Sequence, residues 1–127
     1  MRRSDKEELK EWAERLAGSD KIVIVEGIKD KRALASLGIA AERIVTLGRP
    51  LYSVIESVAE RGSDAVILTD LDREGKKLYG ALKNGLSANG VHVDVEFREF
   101  LQKKTKLSHI EGISTYMGTL ALKQQTE

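Results

Sequence analysis

A chain of 127 residues with 41% hydrophobic and 32% charged residues has the size and balance of one folded domain with its own core, and not of a disordered segment. Its net charge of +1 excludes a global basic field, so any binding to a polyanion has to come from a local patch. The lack of cysteine rules out disulfides and thiolate metal sites, and no apolar run approaches the length of a membrane span.

The opening stretch MRRSDKEELKEW carries two arginines with no apolar core behind them, so no signal peptide is expected and the default location is the cytoplasm. Leu9, Trp12, Ala13 and Leu16 then fall at helical spacing. With Ser4 as N-cap and Gly18 as stop, they predict a leading amphipathic helix over 4–17. Ile22-Val23-Ile24-Val25 is a continuous apolar run rich in β-branched residues, the signature of a strand buried on both faces. Asp30 starts a short helix carrying Ala33, Leu34 and Leu37 and closed by Gly38, and Arg43 to Leu47 is a second strand.

After the only proline, Pro50, the residues Leu51, Val54, Ile55, Val58 and Ala59 trace a helical stripe that Gly62 ends. Ala65 to Thr69 is the third strand, and Leu78, Leu82 and Leu86 mark the next helix, with Gly90 in the turn after it. Val91, Val93, Val95 and Phe97 alternate with His92, Asp94, Glu96 and Arg98, which predicts a half-exposed fourth strand at an edge. LQKKTK, Leu101 to Lys106, reads as a basic loop, either gripping a nucleic-acid backbone or, as such runs more often are, a solvated connection. Ile110, Ile113, Met117 and Leu120 suggest a final helix over about 110–123, and Gln124 to Glu127 should fray. Strands alternating with helices imply an α/β fold, a Rossmann-like doubly wound sheet of four mainly parallel strands flanked by helices. No repeat or linker divides the chain, so residues 1–127 are expected to be a single domain.

LTDLDREG, Leu68 to Gly75, sets Asp70, Asp72 and Glu74 on alternate positions directly behind a buried strand. Like charges this close repel, so a bound cation or a solvated helix start has to offset them. In a doubly wound sheet, ligands sit beyond the carboxyl ends of the strands, where strand order reverses. If the order is 2-1-3-4, Glu26, the first residue after strand one, faces Asp70 and Asp72 across that point. Four converging acids would suit magnesium, which keeps several waters and takes one or two carboxylates directly. Without a cation, such crowding raises carboxyl pKa values, which suits a proton-transfer role for Glu26.

IVIVEGIKD, Ile22 to Asp30, followed by LTDLDREG, resembles the Toprim domain shared by type IA and type II topoisomerases, bacterial primases and ribonuclease M5. TDLDREG is closest to the type IA topoisomerase version, whereas VEGIKD is nearer the primase and ribonuclease M5 version. The resemblance spans about 21–97 and implies a Toprim fold. It implies that Asp70 and Asp72 hold Mg²⁺ (with Mn²⁺ able to substitute), that Glu74 assists them, and that Glu26 acts as general acid or base. The tyrosine domain of topoisomerases and the zinc- and helicase-binding modules of primases have no counterpart here. Tyr52, Tyr79 and Tyr116 offer no placed nucleophile, so DNA relaxation and primer synthesis are not expected. What remains is metal-assisted cleavage of nucleic-acid phosphodiesters. The rival is a non-catalytic, Mg²⁺-binding module that docks RNA, DNA or a protein complex. Small-molecule phosphotransfer lacks support, because there is no P-loop.

Around these acids, Gly27, Lys29, Lys31, Arg32, Arg73, Lys76 and Lys77 are candidates for phosphate contact or for a plain solvated face. In TLGRP, Gly48 could let the backbone approach a phosphate beside Arg49, or the loop could be an ordinary turn with Pro50 opening a helix. His92 and His109 have no partner at ligand spacing and read as surface or capping residues. Trp12 reads as packed rather than as a base-stacking platform.

Overall fold

The computed structural model describes residues 5–113 and 115. Its central element is β1 (Ile22–Val25), with all four side chains buried. A run that is apolar on both faces needs cover on both, and it gets it. β2 (Ile44–Thr46) and β3 (Ala65–Ile67) pair with β1 in parallel on either side, in the order β2-β1-β3. The register sets Val23 opposite Ile44 and Val66, and Ile24 opposite Val45 and Ile67.

Because successive strand residues point to opposite faces, the sheet divides the core in two. Val23, Val25, Val66 and Leu68 face a cluster built from α1 (Asp5–Gly18), α2 (Ile28–Ser36) and α5 (Glu96–Lys104), with Trp12, Leu16, Leu34 and Leu101 fully covered. Ile22, Ile24, Ala65 and Ile67 face α3 (Leu51–Arg61) and α4 (Arg73–Ala88) through Val54, Val58, Leu82 and Leu86. Each such buried aliphatic side chain contributes roughly 1.5–3 kcal/mol relative to exposure. Trp12 is packed, as its place on the α1 stripe implies. Its ring lies edge-on to Phe97 and stacked with Phe100, and its indole N–H donates to the Phe97 carbonyl at 2.9 Å. α3 ends at Gly62, whose φ of +72° is the left-handed cap that glycine adopts without strain.

Three expectations are corrected. The segment Val91 to Phe97 is not a fourth strand. Within it Val93 alone bridges to β3, in parallel opposite Ala65, so among the described residues the sheet has three strands and the four-strand order 2-1-3-4 is not formed. The reason is Asp94. Its carboxylate takes a 2.6 Å ion pair from Lys21 and accepts the Glu96 N–H at 3.0 Å, which turns the chain out of extended geometry into α5. Phe97 and Leu101, four apart, then bury one helical stripe, with acids in the first turn and lysines in the last. For the same reason Leu101–Lys104 is the end of a helix and not a loop. α2 also begins earlier than expected, at Ile28. Ser4 and the expected helix beyond Thr115 lie outside the described residues.

Candidate metal centre

The parallel sheet delivers its three carboxyl ends to one edge, and the acids stand there. Glu26 is the first residue past β1, and its Oε2 accepts the Asp70 backbone N–H at 2.7 Å. The end of β1 and the loop after β3 are thereby tied together. In that loop each aspartate has one oxygen fixed by a backbone donor. Asp70 Oδ1 accepts the Ile110 N–H at 2.8 Å, and Asp72 Oδ1 caps α4 by accepting the Gly75 N–H at 2.8 Å. Asp72 Oδ2 lies 3.5 Å from His109 Nε2. Ligand atoms of Asp70, Asp72 and His109 all fall within 4.8 Å of one another.

The close fit of loop and helix depends on Gly75. A Cβ there would stand 1.8 Å from the Asp70 carbonyl oxygen, a backbone atom that cannot yield cheaply. The Gly75 carbonyl in turn accepts the Thr69 hydroxyl at 2.7 Å. Behind the loop sits Arg98, only 2% exposed. Its guanidinium donates to the carbonyls of Thr69 and Asp70 and to the Thr69 hydroxyl, and it stacks 4.7 Å from the centre of the Tyr79 ring. Burial pushes the Arg98 pKa down, while Tyr79, Glu26, Asp70 and Asp72 act against that and favour the charged form.

The electrostatics of the acids follow from this crowding. Burial raises the Glu26 carboxyl pKa above its ordinary value, the Asp70 N–H offsets part of that, and the carboxylates of Asp70 and Asp72 raise it further. Asp30, nearly fully buried, is also shifted upward by burial, with the Gly27 N–H working against the shift. Its Oδ2 accepts that N–H at 3.1 Å and so caps α2.

Glu26, Asp70, Asp30, Glu111 and His109 line an open depression of about 420 Å³, with Gly27, Ile28 and Lys29 on its α2 side. Of the residues expected from sequence, Glu26, Asp70 and Asp72 are brought together. Glu74 is not; its side chain is 77% exposed on the first turn of α4, 3.8 Å from Lys77. Lys29, Gly48, Arg49 and Arg73 are exposed at the starts of α2, α3 and α4 or in the loop after β2, all on this edge. Among the described residues, Lys29, Arg49 and Arg73 form no ion pair. Sequence reasoning missed Asp30, Arg98, His109 and Glu111. Asp30 carried a signal, since it stands at the third helical position after Gly27, where a carboxylate can cap. The other three reach the site through tertiary packing, which no local spacing encodes.

The donor set fits a divalent ion. Two carboxylates are pre-oriented by backbone N–H groups, an imidazole is adjacent, and the depression leaves room for solvent ligands.

Fold and site together define an α/β protein whose three-stranded parallel sheet carries a carboxylate cluster at its carboxyl edge. No family model matches the sequence. The chain is 37% identical over 108 residues to a UPF0292 protein of Thermococcus gammatolerans, covering 85% of this chain and 80% of that protein. It is 32% identical over 119 residues to a UPF0292 protein of Methanosarcina barkeri, covering 92% and 83% respectively. The chain belongs to the UPF0292 family. The solved structure of a protein from Aquifex aeolicus matches it with a TM-score of 0.75 at 32% identity, over 81% of this chain and 95% of that one.

Proposed function

We propose that this protein is a Toprim-type, Mg²⁺-dependent enzyme acting on nucleic-acid phosphodiesters, a nuclease or processing factor. The observation that carries the reading is the 2.7 Å hydrogen bond from the Asp70 N–H to Glu26, which brings the glutamate after β1 against the D-x-D after β3. Asp70 and Asp72 would hold the ion. When bound, a divalent ion supplies charge neutralisation and Lewis acidity at phosphoryl oxygens. Glu26, whose carboxyl pKa burial and the neighbouring acids raise above its ordinary value, would exchange a proton with the attacking or leaving oxygen. Lys29, Arg49 and Arg73 present unpaired cations for flanking phosphates, and the exposed Ile28 and Tyr52 offer apolar surface to bases on the same edge. In this reading Glu74, outside the converging group, does not bind the ion directly.

No helix among the described residues is long and apolar enough to cross a membrane; the proposed setting is nucleic acid in the cytoplasm. A second reading keeps the metal and drops the turnover: the domain docks nucleic acid or a protein complex through the same edge. The near-neutral net charge of +1 favours it, since affinity then depends on an additional contact surface. One assay separates the two. Labelled single- and double-stranded RNA and DNA are incubated with Mg²⁺, Mn²⁺ or chelator and with wild type, Glu26→Gln or Asp70→Asn. The enzyme reading expects metal-dependent product that both variants abolish, with metal binding kept in Glu26→Gln only. Cleavage that survives in Glu26→Gln removes Glu26 from the mechanism, and no product from wild type leaves the docking module.

A further inference from the structure

We propose that His109 is a third protein ligand of the metal, and that the site therefore takes Mn²⁺ in preference to Mg²⁺. The inference rests on the metal-centre reading above and refines it, because a nitrogen donor changes which ion is favoured. His109 is not near Asp72 by the chance sweep of a free side chain. The residues on both sides of it are bonded to the D-x-D loop. The Ser108 carbonyl accepts the Leu71 N–H at 2.7 Å, and the Ile110 N–H donates to Asp70 Oδ1 at 2.8 Å. His109 is thus held between two hydrogen bonds to the loop that carries the acids, one to the Leu71 backbone and one to the Asp70 carboxylate. Its side chain is 59% exposed, so packing does not explain its placement, and its recorded polar contact is Asp72 Oδ2 at 3.5 Å.

The donors stand slightly wider apart than around a bound ion. Ligand atoms around a small divalent ion with bonds of about 2.1 Å sit roughly 3–4 Å apart. The Asp70, Asp72 and His109 donors lie within 4.8 Å of one another, so side-chain rotation alone can bring them to that spacing. One oxygen of each aspartate already accepts a backbone N–H, which holds both carboxylates at this edge. Mg²⁺ prefers oxygen and keeps its waters, whereas imidazole nitrogen suits ions further along the first transition row. Two carboxylates keep the oxygen character that Mn²⁺ shares with Mg²⁺, and one imidazole adds a donor that Mn²⁺ accepts more readily, so the comparison the site decides is Mn²⁺ against Mg²⁺. The chain also isolates the signal. It has two histidines, and His92 lies beside Ala65 at the opposite, amino end of β3.

The test is pulsed electron paramagnetic resonance of Mn²⁺ bound to wild type, His109→Ala and His92→Ala, with Mn²⁺ and Mg²⁺ affinities measured on the same proteins. The expected result is ¹⁴N coupling in wild type and His92→Ala that is absent from His109→Ala. The same variant should lose Mn²⁺ affinity by about tenfold or more, since even groups that only support a ligand cost that much, with Mg²⁺ affinity changed far less. Mn²⁺ binding without nitrogen coupling, or with an unchanged Mn²⁺-to-Mg²⁺ ratio in His109→Ala, overturns the assignment of His109 while leaving Asp70 and Asp72 as ligands. Failure of wild type to bind either ion overturns this proposal together with the reading beneath it.

Discussion

Arg98 shows how much of this site is made by groups that never face solvent. The carbonyls of Thr69 and Asp70 have Arg98 as donor, and the Thr69 hydroxyl receives its N–H as well. Arg98→Met keeps the apolar stem but leaves those acceptors buried without a donor. An expected loss of about 3–5 kcal/mol follows from unsatisfied buried groups around a removed buried charge, read from urea unfolding. A loss under about 1 kcal/mol would mean that the loop does not depend on Arg98. Asp30 gives the opposite sign. Its folded pKa is raised, so it contributes most below its unfolded value, and that contribution is lost as pH rises through the folded value. Asp30→Asn retains an acceptor for the Gly27 N–H and carries no charge to desolvate. It should therefore be at least as stable as wild type at neutral pH, with any advantage vanishing at acid pH. A variant less stable at neutral pH by the same margin as in acid would contradict this. Glu26, Asp70 and Asp72 were legible in the sequence because chemistry and strand ends coincide there. Arg98 and His109 were not, because each arrives from an element whose packing has no local signature.

At the scale of elements, hydrophobic period succeeded where one period was present and failed where two overlapped. Leu9, Trp12, Ala13 and Leu16 admit only a helix, and Ile22–Val25 only a buried strand. From Val91 onward, alternation through Phe97 overlies the helical spacing of Phe97 and Leu101, and the ion pair of Asp94 with Lys21 decides between them. Burial raises the Asp94 pKa, but Lys21 and the Glu96 N–H outweigh that, and the net value is lowered. The element that positions the site most tightly is the first turn of α4. Gly75→Ala would drive a methyl group into the Asp70 carbonyl, so loop and helix must part. The expected cost is about 2 kcal/mol or more, in the range of overpacked positions, measured by thermal unfolding and accompanied by loss of metal binding. Gly80→Ala has open space around its Cβ and serves as the control on the same helix. Equal behaviour of the two variants would refute the role given to Gly75.

For the molecule as a whole, a central β1 flanked by parallel neighbours directs every βα turn to one edge, so residues far apart in sequence share one surface. That rule made the site's place legible even though the fourth strand did not form. With a net charge of +1, the proposed affinity for nucleic acid has to be local, and its salt dependence should be shallow. If Lys29, Arg49 and Arg73 each meet one phosphate, the slope of log affinity against log salt is about −2 to −3, and each alanine substitution reduces it by about one. A slope unchanged in the triple variant would move the interface elsewhere.

The central claim is that Asp70 and Asp72 hold a divalent ion, and calorimetric titration of Mg²⁺ and Mn²⁺ into wild type and Asp70→Asn tests it most directly. Asparagine preserves the acceptor for the Ile110 N–H, so the loop should stay in place while the charge is removed. Saturable binding to wild type that disappears in Asp70→Asn is the expected result. Wild type that binds neither ion, or Asp70→Asn that binds as tightly as wild type, would contradict it.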